Sequence, residues 1–170
     1  MKNKTLVRFC ISAVIAALYA AVSLALAPLS FGPIQIRIAE AMTLLPILFP
    51  EAIAGVTLGC FLTNLIGAIL GVNLLGFFDV FAGTLATFLA AMLTWRCRKL
   101  CVKGVPLVSA LMPVLFNGVI VGAVVHFCYS TAIALPLCML SVAAGEAVAC
   151  LVIGPLLISV LRRMPASVLN

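Results

Sequence analysis

From residue 9 to residue 161 the chain is a succession of apolar stretches, at 9–29, 36–49, 52–70, 78–95, 107–129 and 137–161, separated by breaks that contain proline, glycine or basic residues. A run of about 20 apolar residues is what a helix needs to cross a hydrocarbon core of about 30 Å. Stretches this long and this uninterrupted leave no polar face with which to meet water. Composition agrees: 8% of residues are charged and the mean hydropathy is +1.38, whereas about a quarter of a soluble domain is charged. The expectation is an all-α integral membrane protein, one transmembrane domain over residues 1–170. The opening MKNKTLVRF has the look of a signal-peptide start, but the apolar run after it is of membrane-span length, so it reads as a retained first helix.

The stretch at 36–49 is the awkward one. Fourteen residues rise about 21 Å as an α-helix, short of the hydrocarbon core, and Pro46 interrupts them. Charge decides how it is counted. Lys2, Lys4 and Arg8 precede the first stretch, Arg96, Arg98, Lys99 and Lys103 follow the fourth, and Arg162 and Arg163 follow the last. With six crossings these nine of the ten basic residues share the side of the N-terminus, and Arg37 alone lies opposite. With five, the Arg96 to Lys103 cluster is stranded outside, against the positive-inside rule. Six transmembrane helices with both termini cytoplasmic, in a multi-pass protein of the cell membrane, is therefore the expected topology. The same grouping attributes the net charge of +6 to topology and not to nucleic acid.

Charged and amide groups inside spans are expensive and mark interiors or aqueous cavities. Here they are Arg37 and Glu40 in the second stretch, Asn64 in the third, Asp79 at the start of the fourth, Asn117 and His126 in the fifth and Glu146 in the sixth. Arg37 and Glu40, three residues apart, are placed to neutralise each other on one helix face. Glu146 is the sharpest candidate, a carboxyl about 13 Å into its helix among alanine, glycine and cysteine. Its bland reading is a pairing with His126 or Arg37. Asp79 is equally suited to answering a helix dipole, and Asn64 and Asn117 to gluing helices together.

Small residues mark close approach. Ala13, Ala17, Ala21 and Ala25 recur every four residues in the first stretch, a flat face open either to packing within the bundle or to a separate membrane protein. Gly55 with Gly59, Gly67 with Gly71 and Gly118 with Gly122 read as internal packing. The seven cysteines lie in apolar runs without CxxC and read as small hydrophobes. Cys97 and Cys101 make at most half a zinc site, and a Cys128–Cys138 disulfide is left open. P-loop, HExxH and GxSxG motifs are missing and histidine occurs once, so neither enzyme chemistry nor a metal or cofactor is expected, and ATP-driven work would need a separate subunit.

The run GPIQIRIAEAMTLLPILFPEAIAGVTLGCFLTNLIG at 32–67, followed by FDVFAGTLATFLAA at 78–91, PVLFNGVIVGAVV at 113–125 and SVAAGEAVACLVIGPLL at 141–157, resembles the queuosine-precursor transporter family, substrate-binding S components of energy-coupling factor (ECF) transporters. The resemblance implies a six-helix S-component bundle and a 7-deazaguanine substrate in aminomethyl or cyano form, or queuine. It implies too that the face of Ala13, Ala17 and Ala21 docks on an ECF transmembrane coupling subunit whose paired ATPase subunits drive uptake. For such a base, chemistry assigns Glu146 to the guanine-like edge and Asn117 and Asn64 to carbonyl and ring nitrogens. Asp79 or Glu40 suits an aminomethyl cation, Arg37 and His126 complete the set, and Phe77, Phe78 or Tyr129 are available for stacking. Two rival readings stand beside this one: an S component for another vitamin or nucleobase, and a small structural or assembly protein whose polar groups only pack.

Overall fold

The computed structural model describes residues 3–31, 35–100, 106–128 and 131–163, and within these every regular element is helical. Helix α1 covers Lys4–Ala25 and a short α2 covers Ala27–Ser30, with Pro28 in its first turn. A 3-10 helix follows at Ile38–Ile47, then α3 at Ala52–Ile69, α4 at Phe77–Arg96 and α5 at Leu107–Cys128. The last run begins as α6 at Leu135–Ala147, widens into a π turn at Val148–Ile153 and finishes as α7 at Gly154–Arg162. Five of these runs are long and apolar enough to cross a membrane, namely α1, α3, α4, α5 and the continuous 135–162 stretch.

The segment expected as a membrane helix at 36–49 is helical over Ile38–Ile47, but its winding is 3-10 and not α. Runs of this kind rarely exceed three or four residues, so ten need a cause. Pro46 has no N–H to donate, and its ring collides with the carbonyl four residues back in an α-helix. The Glu40 carbonyl also accepts from Thr43 Oγ1 at 2.6 Å and from Cys150 Sγ at 3.5 Å. Tighter winding lengthens the segment. At about 2.0 Å per residue it covers about 20 Å, against about 15 Å for the same ten residues as an α-helix.

A second departure from α geometry precedes Pro155. In regular winding its ring would press on the Leu151 carbonyl, and the chain relieves this by taking a π turn in the six residues before Gly154. Helix α1 also starts earlier than the apolar run, at Lys4, and its Arg8 pairs with Glu51 at 2.9 Å.

Contacts fix the directions. A Cβ added at Gly55 would lie 2.8 Å from Ile15 Cβ, and one at Gly59 2.7 Å from Tyr19 Cβ, so α1 and α3 run parallel at very close approach. Asn64 meets Asp79 and Cys60 meets Thr87, so α3 and α4 are antiparallel. Thr94 and Ser109 exchange hydrogen bonds at 3.0 and 3.2 Å between α4 and α5. Gly118 and Gly122 admit Ala143 and Met139 of the antiparallel α6. The 3-10 helix runs against α1, from Tyr19 at Glu40 down to Ser12 at the Glu51 carbonyl, and along α6 to α7, with Leu44 beside Gly154. Six segments therefore alternate in direction, which gathers Lys4, Arg8, Arg96, Arg98, Lys99, Arg162 and Arg163 at one end of the bundle; Lys2 and Lys103 lie outside the described residues. The glycine pairs act as expected except Gly71, which has φ +69° and closes α3 in a turn.

The outer surface is apolar. On α4 the side chains of Phe81, Leu85, Phe88 and Met92 face outward, a stripe that would aggregate in water and suits lipid.

Candidate functional site

Four of the seven residues singled out from the sequence meet in one hydrogen-bonded cluster, where the 3-10 helix crosses between α1, α3 and α4, and a fifth joins them electrostatically. Arg37, the residue before the 3-10 helix, forms a buried ion pair with Asp79 in the first turn of α4. Asp79 Oδ2 also accepts Asn73 Nδ2 at 3.0 Å, and Asn73 is itself fixed by accepting the Leu75 N–H at 3.0 Å. Asn64 donates to the Asp79 carbonyl at 3.0 Å. The partner expected for Arg37 was Glu40. Arg37 stands outside the helix with φ −88° and ψ 84°, so its side chain does not share Glu40's face and reaches α4 instead.

Glu40 is held separately. Its Oε1 accepts the Tyr19 hydroxyl at 2.5 Å and the Thr87 hydroxyl at 2.8 Å. Thr87 and Asn64 also flank Cys60 Sγ at 3.3 and 3.4 Å, which ties the two halves of the cluster together.

Glu146 closes the group from α6. Its nearest polar neighbour is Cys150 Sγ, 3.8 Å from Oε2 and one turn along, so neither His126 nor Arg37 is its hydrogen-bond partner. It is near enough to Glu40, Arg37 and Asp79 to couple to their charges. The adjacent Gly145 lies directly against the Gln35 backbone carbonyl, so the extended segment that delivers Arg37 and Glu40 is seated on α6 where a side chain would block it.

The cluster is shut off from the surface: Glu40 and Asp79 are 0% exposed, Glu146 1% and Arg37 4%. It is also incomplete. Glu40 Oε2, Asp79 Oδ1, Arg37 Nε and Gln35 Oε1 have no partner among the described residues. Each such buried group costs about 1–3 kcal/mol, and their gathering at one place marks the cluster as the candidate binding site. Three of these four atoms are oxygen acceptors, so acceptors are in excess.

Asn117 is fully buried in α5, and neither its Oδ1 nor its Nδ2 has a partner among the described residues. It is not hydrogen-bonded into the cluster, and the reading of it as interhelical glue gains no bond to support it. His126 stands apart, half-buried near the end of α5 with Nδ1 2.8 Å from the Ile133 carbonyl. Phe77 and Phe78 point outward, 59% and 68% exposed, which removes them as stacking partners in this conformation; Tyr129 lies outside the described residues. Cys128 and Cys138 are free thiols, Cys97 likewise, and Cys101 is outside the described residues. Two surface clefts, of about 560 and 630 Å³, are lined mainly by apolar side chains and by none of the cluster.

Sequence reasoning missed Tyr19, Thr87, Cys60, Asn73, Gln35 and Cys150. A search restricted to charges and amides inside spans passes over hydroxyls and thiols. Tyr19 and Thr87 were detectable as hydroxyl groups within otherwise apolar runs.

Of the comparisons with known proteins, the scan of family models returned the one described as QueT transporter, matching residues 9–163. Searches of curated proteins and of solved structures returned no match.

Proposed function

This chain belongs to the QueT transporter family and is a multi-pass membrane transport protein, and we propose that it is the substrate-capture subunit of an ECF importer for a queuosine precursor. The observation that carries the reading is the buried, acceptor-rich cluster. A guanine-like edge presents two adjacent N–H donors that a carboxylate accepts in bidentate fashion, among the strongest neutral-to-charged recognitions available. Glu146, whose carboxylate has only a weak thiol neighbour, takes that edge of a 7-deazaguanine. Glu40, with Oε2 unpartnered, is the second acceptor and suits an exocyclic amine. Asp79 is committed to Arg37 and positions it, and Asn117 offers an amide to the carbonyl edge.

Six crossings with both termini cytoplasmic are supported by the alternation of the six segments and by the basic residues gathered at one end. Docking on a transmembrane coupling subunit, with its ATPases beyond, is supported by α1: Ala13, Ala17 and Ala21 are exposed on the face opposite the one buried against α3, which carries Ala16 and Tyr19.

Thermal stability of the detergent-purified protein against aminomethyl- and cyano-deazaguanine, queuine, guanine, riboflavin, thiamine and biotin tests the reading. A rise with deazaguanines that falls by about 1.5–3 kcal/mol of binding energy in Glu146→Gln is expected, from loss of a charge-assisted bond. A rise with another vitamin alone replaces the substrate. No rise with any member, in folded protein, defeats the capture role.

A further inference from the structure

The cleft of about 560 Å³ lies between α1 and α7, over the 3-10 helix. Leu6, Val14 and Leu18 form one wall, Met42 and Phe49 the floor, and Leu161 belongs to the other wall. From Leu6 to Leu18 the groove follows α1 for about 18 Å, comparable with one leaflet of a core about 30 Å thick.

One end of the groove opens among cations. Lys4 and Arg8 belong to the same turns of α1 as the lining Leu6 and Val7, and Arg162 and Arg163 follow the lining Leu161, all four exposed. The chain has four acidic side chains. Glu40, Asp79 and Glu146 are buried in the interior, and Glu51 is taken by Arg8. Lys4, Arg162 and Arg163 are therefore left without any acidic side chain of this protein to answer them. A groove of leaflet depth, apolar along its length and cationic at its mouth, matches a molecule with an alkyl chain and an anionic head.

We propose that this groove is a binding site for an anionic phospholipid, one acyl chain lying over Met42 and Phe49 and the phosphate held by Lys4, Arg162 and Arg163. A helix of a partner protein seated here would have to supply its own acidic groups at the surface, whereas a phospholipid carries its phosphate with the chain. The site is separate from the buried cluster and does not depend on the transport reading.

The test is native mass spectrometry of the full-length, delipidated protein titrated with phosphatidylglycerol or phosphatidylcholine, with melting temperature as a second readout. A one-to-one phosphatidylglycerol adduct that stabilises the protein is expected, with phosphatidylcholine much weaker. Arg162→Gln with Arg163→Gln lowers phosphatidylglycerol affinity roughly fivefold per arginine, about 25-fold together, and lowers phosphatidylcholine affinity less. Val14→Trp, at an exposed wall position, fills the groove and reduces retention of both lipids. Equal binding of the two lipids by the unaltered protein overturns the proposal, as does an unchanged preference in the double arginine variant, which decides the matter alone if Val14→Trp does not fold.

Discussion

Replacing Asp79 with asparagine keeps the shape of the side chain and removes one charge from a pair sealed inside the bundle, where Arg37 is 4% and Asp79 0% exposed. If the contact were an ordinary interhelical hydrogen bond, its loss would matter little, since such bonds average about 0.6 kcal/mol in membrane proteins. Stranding a buried guanidinium is a different event, and breaking a buried pair from one side costs about 3–5 kcal/mol. The expected loss is therefore about 3 kcal/mol or more. The Asn73 and Asn64 bonds at this residue add little to that figure, because asparagine still offers an acceptor oxygen and the backbone carbonyl is untouched. Equilibrium unfolding in mixed micelles, followed by far-UV circular dichroism, measures it. Arg37→Gln combined with Asp79→Asn removes both charges and should return stability to within about 1 kcal/mol of the starting protein. A loss below about 1 kcal/mol for Asp79→Asn, or a double variant as unstable as the two single losses summed, would refute the account of the pair as a charge compensated in a low-dielectric interior.

Two further outcomes follow from packing. Gly145→Ala puts a methyl group into the Gln35 backbone carbonyl and is expected to destabilise the protein by about 1–3 kcal/mol, read as a lowered melting temperature; an unchanged value would show that the extended segment is not seated on α6. Ala17→Trp, on the exposed face of α1, is expected to leave the ligand-induced thermal shift intact and to abolish co-purification with the coupling subunit proposed above, and an intact complex would remove that face from docking.

How far the sequence reached depended on what kind of information each feature carries. Apolar runs located every segment, since hydropathy reports burial in lipid or protein directly. They did not distinguish α from 3-10 or π winding, because those differ in hydrogen-bond register and not in hydrophobicity. Pro46 and Pro155 were the available hints, and each sits at or just after the irregular turn it explains. In the buried cluster, Arg37, Glu40, Asn64, Asp79 and Glu146 were legible because buried charge and amide groups need reasons. The pairing of Arg37 with Asp79 was not, since it joins residues 42 apart and turns on the backbone angles of a residue just outside a helix. His126 was drawn in by its chemistry alone, and the structure sets it near the bundle surface beside Ile133.

The 3-10 helix has a mechanical consequence. Ten residues wound this way are about 20 Å long, while the same ten as an α-helix are about 15 Å. The segment thus holds about 5 Å of reserve length, close to one α-helical turn of 5.4 Å. Glu51 anchors its lower end to α1, and its upper end delivers Arg37 and Glu40 to the buried cluster. Shortening the segment toward α geometry would draw those two side chains along the bundle axis, against the Pro46 ring and against the bonds that Tyr19, Thr87 and Asp79 make to them.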